Sequence, residues 1–260
     1  MTTTNSGDAS RGWALVTGAG RRIGRALALQ AARSGYDVIL HAHESGQDAH
    51  DTGAMVAAVG RNHRIAIADL TLDAALPGLL ETGGEPVTLL VNCASLFHDD
   101  RIGGGRTSTL TPGSFDAHIA ANLRAPVLLA QAFAAALPAD RDGLIVNLID
   151  QRVWRLTPQF FSYTLSKAAL WAATQTMAQA LAPRIRVNGV GPGPTLPSIH
   201  QSAEEFAAEA SKVPLGHGAS PEEIAAALAY LIDARSVTGQ MIAVDGGQHL
   251  AWRTPDIQSD

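Results

Sequence analysis

Short, continuously apolar runs that alternate with longer helical patterns constrain this chain more than any other feature. The runs fall at 13–17, 36–41, 63–68, 88–92, 143–149, 185–190 and 241–244, and the main helical patterns at 23–33, 114–136, 161–181 and 221–232. A strand that is apolar on both sides must be covered on both faces, and strands separated by helices pair in parallel through right-handed crossovers. The pattern therefore predicts an α/β fold: one domain over 12–250, with a doubly wound parallel sheet of about seven strands and helices on both faces. No linker composition or internal repeat divides the chain. Polar ends at 1–11 and 251–260 read as tails, and 101–111, rich in Gly and Thr, as a loop without chemistry.

Composition narrows the partners. The chain has 260 residues, 46% of them hydrophobic, and a net charge of −5 with its basic residues scattered, which argues against a nucleic-acid groove. A single cysteine, Cys93, excludes an internal disulfide framework and fits a reducing compartment. Neither a membrane-spanning apolar run nor a leader-like start is read, and the histidines lack paired metal-ligand spacing, so the expectation is a cytoplasmic protein with no metal and no membrane partner.

The first apolar run leads into Thr17-Gly18-Ala19-Gly20-Arg21-Arg22-Ile23-Gly24 and then into a helix. Glycines there permit a tight turn and let a pyrophosphate reach the amides of the helix N-terminus, which marks a dinucleotide site. Asp69-Leu70 follows the third run, where the carboxylate can accept the adenine amino group or cap a turn. Asn92 and Ala94 follow the fourth, at the carboxyl edge where ligands bind in such sheets; Asn92 can also be a simple turn residue. No Asp stands at the tip of the second run to hold a ribose hydroxyl. Arg21, Arg22, His41 and Ser45 can hold a 2′-phosphate, which favours NADP(H), whereas Glu44 keeps NAD(H) open.

The second chemical signal is Tyr163-Thr164-Leu165-Ser166-Lys167, with Asp150 thirteen residues before the tyrosine. Four residues apart on a helix, Tyr163 and Lys167 share a face. An ammonium beside the phenol is expected to lower the tyrosine pKa towards neutrality and ready it for proton exchange.

Together TGAGRRIG, NCAS, Asn122, Tyr163-x-x-x-Lys167, the Asn188 to Gly193 stretch and Val244-Asp245-Gly246-Gly247 resemble, in order, the short-chain dehydrogenase/reductase family over nearly the whole chain. The resemblance implies a Rossmann fold, a nicotinamide cofactor and a homo-oligomer, commonly a tetramer. It implies that Asn122 holds a water, Lys167 binds the nicotinamide ribose and Tyr163 donates the proton. Most members carry serine where this chain has Asp150. An ionised carboxylate cannot donate to a carbonyl oxygen and suits a substrate with N–H groups or a nitrogen to be protonated. At this point the chain is similar to the pteridine reductase branch, which includes dihydromonapterin reductases. The likeness extends to Arg22-Ile23, Ser95-Leu96-Phe97 and the His-x-His segment at His41. It implies that Phe97 stacks on a pterin, that Ser95 and Arg22 bond pterin or phosphate, and that Asp150 and Tyr163 face the substrate. In that branch an arginine at the position of Glu44 helps bind the 2′-phosphate. Phe97 can alternatively be a loop anchor in the core.

Pro192-Gly193-Pro194-Thr195 is too rigid for a helix, and the resemblance places it over the nicotinamide, followed by a lid over about 194–218. Trp154 and Arg155 can edge the pocket or meet another subunit. The reading at this stage is an NADPH-dependent reductase of a pterin-type small molecule. A ketone or secondary-alcohol substrate, or a dinucleotide-sensing protein without catalysis, are the alternatives.

Overall fold

Each of the seven apolar runs forms a strand; β2, β4 and β5 are buried along their whole length on both sides of the sheet, whereas the edge strands β3 and β7 are only partly covered. These strands are β1 (Trp13–Val16), β2 (Asp37–Ala42), β3 (His63–Ile67), β4 (Val87–Asn92), β5 (Gly143–Leu148), β6 (Ile185–Pro192) and β7 (Met241–Val244). The computed structural model describes residues 11–103, 109–197 and 201–251. Nearly all of the two expected tails, the centre of the 101–111 loop and positions 198–200 of the expected lid lie outside the described residues.

The strands form one parallel sheet in the order β3-β2-β1-β4-β5-β6-β7. From β1 the chain moves outward to β2 and β3, then crosses back to place β4 on the other side of β1. The loops after β1 and β4 therefore diverge, and a crevice opens at the carboxyl ends of the strands.

Alternate strand residues feed two cores. Ala14 and Val16 point to one face, under α1 (Arg22–Arg33), α2 (Gly46–Ala58) and α7 (Pro221–Asp233). Leu15 and Ile145 point to the other, where α4 (Ala125–Ala136) contributes Leu129 and Phe133 and α5 (Phe161–Leu181) contributes Ala178. Fully buried side chains such as Phe133 and Leu129 each contribute about 1.5–3 kcal/mol of transfer free energy.

The sequence pattern names neither α2 nor α6 (Ala203–Ala210). Helix α2 carries two glycines, at Gly46 and Gly53, and its polar residues fill its first half, so it shows no continuous apolar stripe. Gly53 is required by packing: a Cβ there would lie 2.6 Å from the His63 ring. Helix α6 lies in the expected lid and is set by a capping box, Ser202 with Glu205.

The run 114–136 is not one regular helix. It divides into α3 (Pro112–Ile119), a π-helical turn (Ala120–Arg124) and α4. This continuous segment is long and apolar enough by composition to cross a membrane, contrary to the sequence expectation, and about a third of it is buried within the chain. Polar positions such as Asp116, His118 and Arg124 interrupt the apolar run that the sequence reading looked for. The inward face of α4 belongs to the sheet core.

Candidate active site

The crevice at the carboxyl ends of the strands holds a cavity of about 560 Å³. The glycine loop borders it through Arg22 and Ile23. Gly18 has φ +68, and a Cβ on Gly24 would lie 1.9 Å from the Gly18 carbonyl oxygen, so α1 starts tight beneath the turn. Gly20 is held by its carbonyl, which accepts from Arg25 Nη2 at 2.8 Å and from Thr52 Oγ1 at 2.9 Å. Neither clamp residue lies in the glycine motif, so the motif alone does not reveal them. Thr17 Oγ1 accepts the amides of Cys93 and Ala94 and ties the loop to the end of β4, where Ala94 forms the wall against Gly18.

The N-terminus of α1 has no side-chain cap and no acidic residue in its first turn. Its amides and the helix dipole are thus unopposed, which fits a pyrophosphate. Arg21 and Arg22 sit beside it as adjacent cations, and Arg21 makes no side-chain bond among the described residues. Ser45, at the N-cap of α2, likewise has a hydroxyl that does not cap its helix. The fixed backbone and unopposed amides fit a dinucleotide.

Several expected ligand groups are placed otherwise. His41 is buried, its Nδ1 accepts from the Gly18 amide at 3.2 Å, and its Nε2 pairs with the Ala68 carbonyl at 3.0 Å. Burial also lowers its pKa. A neutral ring with both nitrogens engaged braces the glycine loop and cannot hold a 2′-phosphate. Leu70 turns into the core instead of reaching a cofactor.

Asn92 is 2% exposed, and its Nδ2 donates sideways to Asn147, which in turn donates to Thr174 on α5. Its side chain therefore seams β4 to β5, and only the buried, unpartnered Oδ1 is left. Asp69 closes a turn by accepting from the Thr71 amide and hydroxyl, both at 2.8 Å, which lowers its pKa. Arg22 lines the cavity but donates to the carbonyls of Pro197 and Leu196, latching the glycine loop to the segment after β6.

On the opposite wall, β5 ends at Leu148 and the chain turns through Asp150, and α5 brings up Tyr163 and Lys167. The Tyr163 hydroxyl donates to Asp150 Oδ2 at 2.8 Å, and the Arg152 amide donates to Asp150 Oδ1 at 2.7 Å. Asp150 therefore faces the cavity with both oxygens oriented. Lys167 is 2% exposed and donates to the Leu148 carbonyl at 2.7 Å, while its Nζ lies 5.7 Å from the Tyr163 ring centre. Burial lowers its pKa to about 8, against the opposing pull of Asp150 and Cys93. Burial also pushes the Cys93 thiol up to about 12.

The expected lowering of the tyrosine pKa is reversed. Burial first, and the Asp150 charge and hydrogen bond second, hold the Tyr163 phenol well above its ordinary value. Burial of the phenol and the carboxylate hydrogen-bonded to it act in the same direction, and together they set the sign. The resting group is a neutral phenol, suited to giving a proton.

Asn122 sits in the π-helical turn, fully buried. Its Oδ1 accepts the Leu96 amide at 2.7 Å and the Ser95 hydroxyl at 3.2 Å, and its Nδ2 donates to the Leu96 carbonyl and to Ser166. With its amide saturated, the side chain clamps the Ser95–Leu96 backbone rather than holding a water. Ser95 and Phe97 thereby enter the cavity, together with Ile23, Pro192, Gly193 and Thr195. Phe97 is 42% exposed, not a core anchor. Thr195 donates back to the Gly193 carbonyl. Trp154 and Arg155 stand outside the cavity lining, against His249.

Several cavity residues escape sequence reading, among them Gln151, Phe206 and Gln248. Phe160 and Arg152 lie in a stretch without periodicity, and no motif marks them. The loop residues Asp99 and Asp100, which accept the amides of Phe160 and Ser162 and so cap α5, are equally silent in the sequence.

The adh_short_C2 family model, described as enoyl-(acyl carrier protein) reductase, matches residues 18–249. A crystal structure of FolM alternative dihydrofolate reductase 1 from Brucella canis complexed with NADP is 48% identical, with a TM-score of 0.87 over 95% of this chain and 97% of that one. Pteridine reductase 1 of Leishmania tarentolae is 34% identical over 91% of this chain and 96% of its own length. The angucycline C-6 ketoreductase LanV with bound NADP is more distant, at 29% identity and a TM-score of 0.83 over 94% of this chain and 98% of that one.

Proposed function

The chain belongs to the short-chain dehydrogenase/reductase family, and from that premise we propose that it is an NADPH-dependent reductase of a pterin-type heterocycle, of the dihydropterin or dihydrofolate kind. The observation that carries this reading is the Tyr163–Asp150 hydrogen bond at the cavity wall. The FolM and pteridine reductase relatives support it, and the NADP complexes among the related structures support the cofactor choice.

The amides of the glycine loop, with Gly18 and Gly20 at the turn, would hold the pyrophosphate. Arg21 and Ser45 are the groups suited to a 2′-phosphate, since Glu44 is exposed and His41 is engaged. Lys167 would take the nicotinamide ribose, and Pro192, Gly193 and Thr195 would cover the ring. When bound, the cofactor supplies hydride to a C=N carbon. Tyr163 supplies the proton: its hydroxyl swings from Asp150 Oδ2 to the adjacent substrate nitrogen. Lys167, buried and with a pKa near 8, stabilises the phenolate left behind. Asp150 then accepts N–H groups of the heterocycle, which a carbonyl substrate lacks.

Residues 12–250 are read as the catalytic domain and 194–218 as its lid, with Phe206 and Glu209 of α6 lining the cavity. A homotetramer is supported by the apolar α4, about a third of whose helical run is buried in the chain, and by Leu165 of α5, which is 40% exposed. A cytoplasmic location fits a single, buried thiol.

Asp150→Ser tests the reading. Its kcat/KM for a dihydropterin is expected to fall about 100-fold, with ketone turnover appearing or rising. Unchanged dihydropterin kinetics would remove the pterin assignment and leave a ketone reductase such as LanV as the better guide.

A further inference from the structure

Three side chains at the cavity wall form a single column. The rings of Phe97 and Phe160 are stacked with centres 4.3 Å apart and planes 10° from parallel. The Arg152 guanidinium lies over the Phe160 ring, 5.2 Å from its centre. Tyr163 meets Phe97 at right angles, with centres 4.7 Å apart. Edge-to-face and offset-stacked contacts of this kind are favourable, and a guanidinium over a ring adds an electrostatic attraction.

The backbone makes the column informative. Phe160 has φ 53 and ψ 53, the left-handed region that a bulky L residue avoids. Glycine or asparagine would hold that conformation with less strain. The strain is sustained from outside, because Asp99 Oδ1 accepts the Phe160 amide at 3.2 Å and Asp100 accepts the amides of Phe161 and Ser162. The same loop carries Phe97, two residues before Asp99. One set of hydrogen bonds therefore fixes both rings of the stack, and a strained residue so over-determined points to a use.

We propose that Phe160 and Arg152 are positioning residues that hold the Phe97 ring ready for a flat heteroaromatic substrate and so set its affinity; this rests on the pterin reading above. One face of Phe97 is covered by Phe160, and the ring is still exposed towards the cavity. A free phenylalanine on a loop must lose its rotamer freedom when a ligand stacks on it, and that ordering opposes binding. A ring already backed by Phe160, itself backed by Arg152, has lost that freedom beforehand. Phe160 acts through Phe97, so its loss raises KM and leaves the chemical step alone, whereas the Arg152 guanidinium also lies 6.0 Å from the Tyr163 ring centre, so KM is its readout.

The test uses Phe160→Leu, Phe160→Tyr and Arg152→Met, with NADPH and dihydrobiopterin. Phe160→Leu is expected to raise KM about five- to tenfold with kcat within about twofold and unchanged NADPH affinity, Phe160→Tyr to restore KM, and Arg152→Met to raise it about two- to threefold. An unchanged KM in Phe160→Leu, or a joint fall of kcat, substrate affinity and NADPH affinity, overturns the proposal. If Phe160→Leu does not fold, Arg152→Met decides, and an unchanged KM there is equally fatal. If the unaltered protein reduces dihydrobiopterin and the variants match it, only the positioning role fails. If the unaltered protein reduces no dihydropterin, the proposed function fails and the column's role goes with it.

Discussion

Cavities of about 560 Å³ and about 520 Å³ open at the carboxyl and amino ends of the sheet, and both are lined by charged side chains. At the amino end two of the lining arginines are committed to helix-end carbonyls. Arg186 donates to the carbonyls of Leu231, Ile232, Ala234 and Val237, and Arg184 to those of Leu137 and Pro138. Helices α7 and α4 end there, with carbonyls that attract cations. At the carboxyl end the polarity is opposite. Helices α1 and α2 begin there without side-chain caps, and Tyr163, Asp150 and Lys167 face the cavity wall. A charged cavity is a candidate site where uncapped helix N-termini open onto it and its ionisable groups bond one another, as Tyr163 does Asp150, not simply where charges gather.

The largest expected effect breaks the carboxyl end. Tyr163→Phe removes the proton donor while keeping the ring, and kcat for a dihydropterin should fall about 1000-fold. NADPH affinity should stay within about twofold, because the glycine loop and α1 hold the dinucleotide. Fluorescence titration with NADPH checks the second half. Loss of cofactor binding would make the phenol a structural peg and erase the contrast between the two ends.

A smaller effect, of another kind, is expected at the amino end. Arg186→Met withdraws donors from four carbonyls at the end of α7 and should cost about 2–4 kcal/mol of stability. For a chain of this size that is a fall in Tm of roughly 5–15 °C. Turnover per folded molecule should not change. A selective loss of activity with an unchanged Tm would show the amino-end cavity to be functional and defeat the comparison.

How far the sequence reaches differs between these ends and within the site. The seven strands and their parallel pairing were legible in apolar runs such as that of β5, which is buried on both faces, whereas the strand order was not. Tyr163 and Lys167 were legible because helical spacing fixes their common face. The direction of the Tyr163 pKa was not, because it depends first on the burial of the phenol and then on its bond to Asp150, and separation along the chain carries neither. His41 and Asn92 have ligand-like residue types at strand tips, yet their partners, Gly18 in the turn after β1 and Asn147 on β5, come from other parts of the chain. Phe160 was silent for a related reason. Its meaning lies in a backbone dihedral and a stack with Phe97, 63 positions away in the chain, which no local pattern encodes.

The smallest effect concerns the link between the Phe97 loop and the catalytic helix. Asp100 is 1% exposed and accepts the Ser114 hydroxyl at 2.6 Å and the Ser162 amide at 2.8 Å. Burial alone would raise its pKa, but those hydrogen bonds and the nearby His118 outweigh it and hold the carboxyl below its usual value. A depressed folded-state pKa means that the unfolded chain takes up the proton first. The stabilisation is therefore complete above the unfolded carboxyl pKa of about 4 and is lost as pH falls through the lower folded value. Asp100→Asn should cost about 1–2 kcal/mol near neutral pH, from a charged acceptor at a helix N-terminus made neutral. The deficit relative to the unaltered protein should shrink as the pH is lowered below about 4. Urea titrations of both proteins across that range measure it. A deficit that stayed constant with pH would mean that Asp100 holds α5 by shape and hydrogen bonding alone, without the carboxylate charge.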